Sequence, residues 1–252
     1  MLTSVRSLMA ATLLAGSAFV ATPALAQDGA EVAGSGLTVS GNAAIVTDYR
    51  FRGVSLSGGD FAIQGGVDVA HDSGFYVGTW GSSIDAGEAF GEMELDVYGG
   101  WSGEVSPGVT VDVGLLYYMY PSGDTGADGA ERGADRGVGL EIVGVGATVG
   151  VAYAWEQDSL GGGDNLYLSS DFELGVPTTP LTLTAHLGYT DGVLAPPFLA
   201  GTADDSGLDW SVGASATLLG SLSLGVSYVG VEGPSIDGFT DDAVVGTLSV
   251  SF

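Results

Sequence analysis

The sequence predicts an all-β fold, a single closed antiparallel transmembrane β-barrel of about 12 strands. Three observations predict it: apolar and polar residues alternate along most of the chain, short and long connections alternate, and an apolar composition coexists with a strongly acidic charge. Of the 252 residues 45% are hydrophobic, yet 31 Asp and Glu stand against 5 Lys and Arg. Strands with one apolar and one polar face reconcile these properties, because they separate the two kinds of residue.

The alternation has a period of two, which is typical of strands. It runs through Leu37–Arg52 and is equally regular in Met93–Trp101 and Val109–Tyr120. The other segments lie near residues 61–70, 74–82, 137–144, 148–156, 165–174, 181–189, 208–218, 222–229 and 243–252. Every proline after Pro23 falls between these segments, which supports their boundaries because proline cannot donate to a strand ladder. A barrel in lipid has no open edge, so the first segment is expected to pair with the last.

The connections between these segments alternate in length. Short ones are expected at 71–74, 102–108, 145–147, 175–180 and 219–221. Long ones are expected at 53–60, 83–91, 121–136, 157–164, 190–207 and 230–242. In outer-membrane barrels short turns face the periplasm and long loops face outward. With an even number of strands, both termini are therefore expected on the periplasmic side.

The chain divides into three predicted parts. Residues 1–26 are expected to be a removable signal peptide, because Arg6 precedes the apolar stretch Leu8–Val20 and Ala24-Leu25-Ala26 has the small-x-small cleavage pattern. Residues 27–36 form a short polar segment, and residues 37–252 form the barrel. No apolar run after residue 26 reaches the roughly 18 residues of a spanning helix.

Several motifs resemble those of one bacterial family. They are Thr47–Ser55 (TDYRFRGVS), Gln64–Asp68 (QGGVD), Gly74–Ser82 (GFYVGTWGS) and Glu94–Trp101 (ELDVYGGW). This part of the sequence resembles the TorF-type family of proteobacterial porins. The resemblance implies an outer-membrane barrel assumed to be a porin, with no catalytic residues to carry over. The chain departs from the family in having no Lys and very acidic loops.

Charged residues that alternate with the apolar ones are expected to face the lumen, because facing lipid near the midplane costs about 2–4 kcal/mol for Arg and less for Asp or Glu. The candidates for lining the lumen or a constriction are Asp48, Arg50, Arg52, Asp68, Glu94, Asp96, Asp112, Glu141, Asp171 and Glu173. Arg50 and Arg52 stand two residues apart and are expected to point the same way. Two interpretations are open for them: an ion network that braces the wall, or a constriction that screens solutes by charge.

These observations favour a porin-like channel for passive diffusion of small cationic or neutral solutes. A structural or adhesive barrel with a blocked lumen is the alternative. An enzyme is a weaker hypothesis, because the chain has only two histidines, His71 and His186. His186 has no serine nucleophile near it in sequence, although assembly with Asp171 or Asp209 in space stays open. The sequence predicts no catalytic residue, no cofactor and no metal site.

The expected partners follow from composition and from the C-terminus. Outer-membrane lipid and lipopolysaccharide would surround the barrel, and small solutes would pass through it. Phe252 ends an alternating segment, as the terminal aromatic residue does in chains that the barrel-assembly machinery inserts. Nucleic acid is excluded as a partner, because its phosphates require a cationic surface that the chain does not have.

Overall fold

A computed structural model describes residues 30–32, 34–123, 136–144, 146–218 and 220–252, with the backbone alone at 136–144 and at 158. The predicted signal peptide lies outside the described residues. The described residues form long strands joined by alternating short and long connections. The strands are β1 Ala30–Val32, β2 Leu37–Val46, β3 Arg50–Phe51, β4 Val54–Ser55, β5 Ala62–His71, β6 Phe75–Ser83, β7 Met93–Ser106, β8 Val109–Met119, β9 Arg136–Gly144, β10 Ala147–Ala154, β11 Asn165–Gly175, β12 Leu181–Gly192, β13 Ser206–Leu218, β14 Leu222–Val231 and β15 Ala243–Ser251.

Twelve of these strands, β2 and β5 to β15, form one antiparallel sheet in which sequence neighbours pair. β2 pairs with β5 along one edge and with β15 along the other, so each of the twelve has two hydrogen-bonded neighbours. We call this order the ring of pairings. The predicted strand number and the predicted pairing of the first segment with the last are confirmed.

The contact between β2 and the C-terminus continues to the last residue. Asn42 to Val46 pair with Ser251 to Thr247, and Gly41 and Phe252 exchange both backbone hydrogen bonds, at 2.7 and 2.9 Å. β1 then pairs with Leu37 to Val39, beyond the point at which β15 ends. The polar segment predicted at 27–36 therefore contains a short strand that extends this edge.

Alternate residues along the strands have opposite exposure. One face carries large apolar side chains that are open to the surroundings, such as Ile63 and Val244, which are 69% and 67% exposed. The other face, which we call the polar face, carries charged and polar side chains that are buried; Asp96 is 0% exposed. This is the reverse of a soluble protein, in which apolar side chains are buried and charges lie in water.

The prediction that one strand spans Leu37–Arg52 is wrong. β2 ends at Val46, and the chain turns into a small hairpin in which Arg50 and Phe51 pair with Ser55 and Val54. Arg52 and Gly53 form its two-residue turn with positive φ angles of 48° and 79°. Positive φ at both central residues is a feature of type I′ turns, whose twist suits a two-residue hairpin. Arg50 and Arg52 therefore do not point the same way from one strand.

Helical structure is confined to two short pieces in the described ranges. They are a 3₁₀ turn at Asp158–Leu160 and helix α1 at Pro196–Leu199, which begins with Pro196 and Pro197 in its first turn. In the part of the chain that the structure describes, no helix has the length and apolar character needed to cross a membrane.

Candidate functional site

The polar face of β5 to β8 carries four buried carboxylates, and we call it the acidic wall: Asp68, Glu94, Asp96 and Asp112. Among the described residues, no ion pair reaches any of the four. Tyrosine hydroxyls donate to three of them instead: Asp68, Glu94 and Asp112. Tyr98 on β7 donates to Asp68 Oδ1 on β5 at 2.6 Å, across the intervening strand.

The crossing is possible because the intervening residue is glycine. Asp68, Gly78 and Tyr98 lie in register on three adjacent strands. A Cβ atom at Gly78 would lie 2.5 Å from the Tyr98 ring, a distance that real contacts do not reach. The glycine at position 78 therefore makes room for a tyrosine that reaches a carboxylate two strands away.

The same device recurs in the opposite direction. Tyr76 on β6 donates to Asp112 Oδ1 on β8 at 2.6 Å. Its hydroxyl lies over Gly100 of β7, where an added Cβ would approach it to 2.5 Å. The two tyrosines therefore tie β5, β6, β7 and β8 together across their polar face.

Glu94 and Asp96 are 1% and 0% exposed and stand two residues apart on β7. Tyr49, in the connection after β2, donates to Glu94 Oε1 at 2.9 Å. Burial and the neighbouring Glu94 raise the pKa of Tyr49 well above its ordinary value, so its hydroxyl keeps the proton that it donates. Glu94 Oε2 and both Asp96 oxygens make no hydrogen bond to protein atoms. The acidic wall therefore contains buried carboxyl oxygens that no protein donor satisfies.

The polar face of β11 to β13 has a different arrangement, and we call it the histidine wall: Tyr167, Asp171, His186 and Asp209. His186 Nδ1 lies 2.7 Å from Asp171 Oδ1, and Nε2 lies 2.9 Å from Asp209 Oδ1. Tyr167 crosses over Gly188, and its hydroxyl lies 2.9 Å from His186 Nε2 and 3.2 Å from Asp209 Oδ1. Both nitrogens of an imidazole donate only when the ring is protonated, so this geometry suits a cationic His186 between two carboxylates.

The connection between β2 and β5 contains a third group of buried charges. We call Arg50–Ser55, which comprises β3, the Arg52-Gly53 turn and β4, the mouth hairpin. Arg50 is 1% exposed and its Nε donates to Asp48. Its other nitrogens donate to the backbone oxygens of Gly53 and Asp241, at 3.2 and 2.6 Å, and to Asp241 Oδ1 at 3.1 Å. Asp48 Oδ1 also accepts from Ser55 Oγ at 2.6 Å. Arg50 thus joins the mouth hairpin to the connection between β14 and β15.

Arg52 makes contacts of another kind. Its guanidinium carbon lies 4.1 Å from the ring centre of Tyr167 on the histidine wall and 4.8 Å from that of Phe51. Arg52 is 7% exposed, and its Nε and Nη1 make no hydrogen bond to protein atoms. Cation–π contact with two rings therefore holds this side chain.

The structure brings together some predicted site residues and separates others. Asp48 and Arg50 form one cluster. Arg52 lies close to the histidine wall, which contains Asp171. The four carboxylates of the acidic wall share one region of the polar face. Glu173 is exposed, near the end of β11 that meets a short connection. The backbone of Glu141 pairs with Asp112, while its side chain lies outside the described residues.

Sequence reasoning missed the residues that hold these charges in place. They are Tyr76, Tyr98, Tyr167, Asp209 and Asp241. The sequence predicts Asp209 only as a partner of His186, and it does not single out Asp241. A signal for the tyrosines exists in the alternation, because Tyr98 and Tyr167 have the parity of the charged residues on their strands and Tyr76 alternates with the apolar Phe75 and Val77. No local signal marks Asp241, which is 191 residues from Arg50.

A model of one protein family matches residues 30–252, and the chain belongs to that family, which is described as bacterial protein of unknown function (Gcw_chp). The match covers all twelve strands of the ring of pairings, far more than the motifs noted in residues 47–101. A search of curated proteins finds no match.

Solved structures similar to this one are those of membrane proteins. A NanC porin has 9% sequence identity to the chain and a TM-score of 0.55, with 85% of this chain and 99% of the porin covered. A structure from a study of in-meso crystallization of membrane proteins has 12% identity and a TM-score of 0.54, covering 84% of this chain and 83% of its own. At these identities the likeness concerns the fold.

Proposed function

We propose that this chain is an outer-membrane porin-like channel of passive diffusion, whose twelve strands close into a transmembrane barrel with both termini in the periplasm. One observation carries the proposal: large apolar side chains are exposed on one face of a ring of pairings, while charged side chains are buried on the other. The likeness in fold to a NanC porin supports the same conclusion. The similarity to TorF-type porins agrees with it and remains a prediction.

The physical argument rests on the medium that the apolar face requires. Soluble monomers rarely expose a contiguous apolar patch of more than a few hundred Å², because such surfaces associate in water. In hydrocarbon the same surface is favourable, provided that every backbone donor and acceptor is paired. The ring of pairings supplies those partners to each of its twelve strands. The short connections and the C-terminus lie at one end, which is the periplasmic end in known barrels of this kind.

For the solute, we propose small cations and neutral molecules. The acidic wall supports this choice, because tyrosine hydroxyls rather than cations neighbour its carboxylates in the described residues. A passage lined by one sign of charge concentrates counter-ions and repels co-ions. The arginines of the mouth hairpin would oppose this preference, but Arg50 is already bound to Asp48 and Asp241.

The test is a planar-bilayer recording with the purified full-length protein, with reversal potentials measured under a potassium chloride gradient. We expect cation selectivity, reduced in Glu94→Gln and Asp96→Asn. Asp204→Asn is the matched control, because it removes one carboxylate from an exposed loop position. Anion selectivity in the unaltered protein would contradict the proposed solute class, and absence of any current would contradict the channel.

The structural or adhesive barrel with a blocked lumen is the second candidate. The mouth hairpin contacts residues on distant strands, and a hairpin that occupied the whole cross-section of the lumen would block diffusion. An enzyme is less well supported. His186 does assemble with Asp171 and Asp209, but carboxylates face both of its nitrogens, so neither is placed to take a proton from a serine.

We also propose partners at the two ends of the barrel. Lipid and lipopolysaccharide would cover the apolar face. The barrel-assembly machinery would recognise the last strand through Phe252, which is 62% exposed although its backbone is paired to Gly41. Deletion of Phe252 should lower the amount of heat-modifiable protein in the outer membrane without lowering export. Normal assembly after the deletion would contradict this role.

A further inference from the structure

The mouth hairpin begins beside β2 and ends beside β5, yet its side chains contact strands far around the ring. Phe51 meets Tyr118 of β8 edge to face, with ring centres 6.1 Å apart. Arg52 lies on Tyr167 of β11, which is separated from β2 by four strands in one direction around the ring and by six in the other. A segment that touches such distant strands has to cross the space that the ring encloses.

The turn itself packs against a third part of the ring. A Cβ atom at Gly53 would collide with Val231 of β14 and lie 3.1 Å from Asp209 Cβ of β13. Tyr118, Tyr167 and Asp209 are all buried residues of the polar face. Each lies within a few residues of the strand end that meets a long connection, so the crossing occurs just inside that end.

The hairpin is held on both of its sides. Asp48 accepts from Arg50 and Ser55, which fixes β3 to β4 at the base. Ser55 N donates to Phe239 O at 2.8 Å, beside the bonds from Arg50 to Asp241, so the connection after β14 supports one side. Asp85 N donates to Leu56 O at 2.7 Å, so the connection after β6 supports the other. The bonds from Arg50 to Asp48 and Asp241 are charge-assisted, and such bonds are among the stronger ones in proteins. They favour a fixed position of the hairpin over a mobile lid.

We propose that the mouth hairpin is a fixed constriction of the channel and that Arg52 is its specificity-determining residue. The inference rests on the proposed channel function. Arg50 is saturated by Asp48, Asp241 and backbone oxygens, and so it positions the hairpin. Arg52 is held by contact with two rings, and its Nε and Nη1 make no hydrogen bond to protein atoms. It places one positive charge at the narrowest level of a passage whose opposite wall is acidic.

Two effects follow from removing Arg52. Truncation to alanine widens the passage, and we expect single-channel conductance to rise about twofold, since the radius and charge of the lining set the current. The cation-to-anion permeability ratio should also rise, because the positive charge that repels cations is gone. Arg52→Lys keeps the charge but not the planar group, so it separates the two effects: the ratio should stay near that of the unaltered protein.

The experiment combines recordings with a cross-link. Recordings compare Arg52→Ala, Arg52→Lys and the unaltered protein, with Phe61→Ala as control. Phe61 lies on the same connection, is 71% exposed, and should leave the conductance unchanged. The chain has no cysteine, so Phe51→Cys with Tyr118→Cys creates a unique pair for a short bifunctional thiol reagent. We expect the cross-link to form in folded, heat-modifiable protein and to leave the conductance as it was before the reaction.

The outcomes separate failure of the constriction from failure of the channel. Absence of the cross-link overturns the placement of the hairpin, whether or not current flows. Equal conductance in Arg52→Ala and the unaltered protein overturns the constriction while the channel stands. If the unaltered protein is silent and Arg52→Ala conducts, the hairpin closes the passage, which supports its position and contradicts diffusion through the resting protein. If neither conducts, both proposals fail.

Discussion

The acidic wall and the histidine wall use one construction for different electrostatic results. In each, a tyrosine crosses a glycine on the adjacent strand and its hydroxyl reaches an aspartate two strands away: Tyr98 over Gly78 to Asp68, and Tyr167 over Gly188 to Asp209. On the histidine wall the cations His186 and Arg52 join this unit. On the acidic wall, no described cation does.

The difference shows that the tyrosine unit fixes a carboxylate in position without cancelling its charge. A hydroxyl supplies one hydrogen bond and no net charge, so it does not neutralise the Asp68 carboxyl group. His186 supplies charge and two bonds at once, so Asp171 and Asp209 share one cationic partner. One wall therefore has the composition that the proposed cation preference requires, and the other has carboxylates paired with cations beside the mouth hairpin.

The largest effect that this comparison predicts is at His186. His186→Ala leaves Asp171 and Asp209 without their shared partner, and breaking such a buried pair costs about 3–5 kcal/mol. We expect the free energy of unfolding, measured by urea titration of the refolded protein in lipid vesicles, to fall by that amount. Asp68→Asn on the acidic wall is the comparison, and its effect should be below about 1 kcal/mol, because the amide still accepts from Tyr98.

A double variant sharpens this result. His186→Ala combined with Asp209→Asn should unfold less readily than His186→Ala alone, because it removes one of the uncompensated charges. If His186→Ala alone changes the free energy of unfolding by less than about 1 kcal/mol, the network does not carry the stability assigned to it.

The next effect concerns the glycine beneath the tyrosine. Gly78→Ala forces the Tyr98 ring away from Asp68, and overpacking of this kind costs about 1–3 kcal/mol of the free energy of unfolding. Gly225→Ala is the matched control inside β14, where an added Cβ finds its nearest atoms at an ordinary 3.8 Å. There alanine should be neutral, or stabilising by about 0.4–1 kcal/mol through the unfolded chain. Equal losses at the two glycines would show that backbone bending, rather than the crossing tyrosine, requires them.

The sequence predicts the ring of pairings well and the mouth hairpin poorly, for one physical reason. Alternation reports which residues share a face of extended backbone, and this works along β2 and β5 to β15. Extended backbone continues through β3, so Tyr49 to Arg52 alternate as a strand would, although the chain has already left the sheet. The Arg52-Gly53 pair is the one local signal of the turn, because glycine suits its positive φ.

The candidate charges show a similar limit. Period-two parity groups Asp68, Glu94, Asp96 and Asp112 on one face of their strands, and all four are buried in the structure. It cannot reveal which tyrosine donates to which aspartate, because that depends on the register of three adjacent strands. Nor can it connect Arg50 to Asp241, since tertiary structure alone brings together residues so far apart in the chain.

The smallest effect comes from removing the hydroxyl of Tyr167, and removal of the Tyr98 hydroxyl on the acidic wall is its comparison. Tyr98→Phe deletes the bond that Asp68 accepts at 2.6 Å, and the loss of a hydrogen bond to a charged group should cost about 1.5–3 kcal/mol at most. Tyr167→Phe should cost less, below about 1 kcal/mol, because Asp209 keeps His186 at 2.9 Å and the phenyl ring still supports Arg52. The measurement is again the free energy of unfolding in vesicles, with a recording of each variant. Since Tyr167→Phe leaves the ring beneath Arg52 in place, its conductance should match that of the unaltered protein. A larger loss of stability at Tyr167 than at Tyr98 would mean that the hydroxyl, rather than His186, holds Asp209 on the histidine wall.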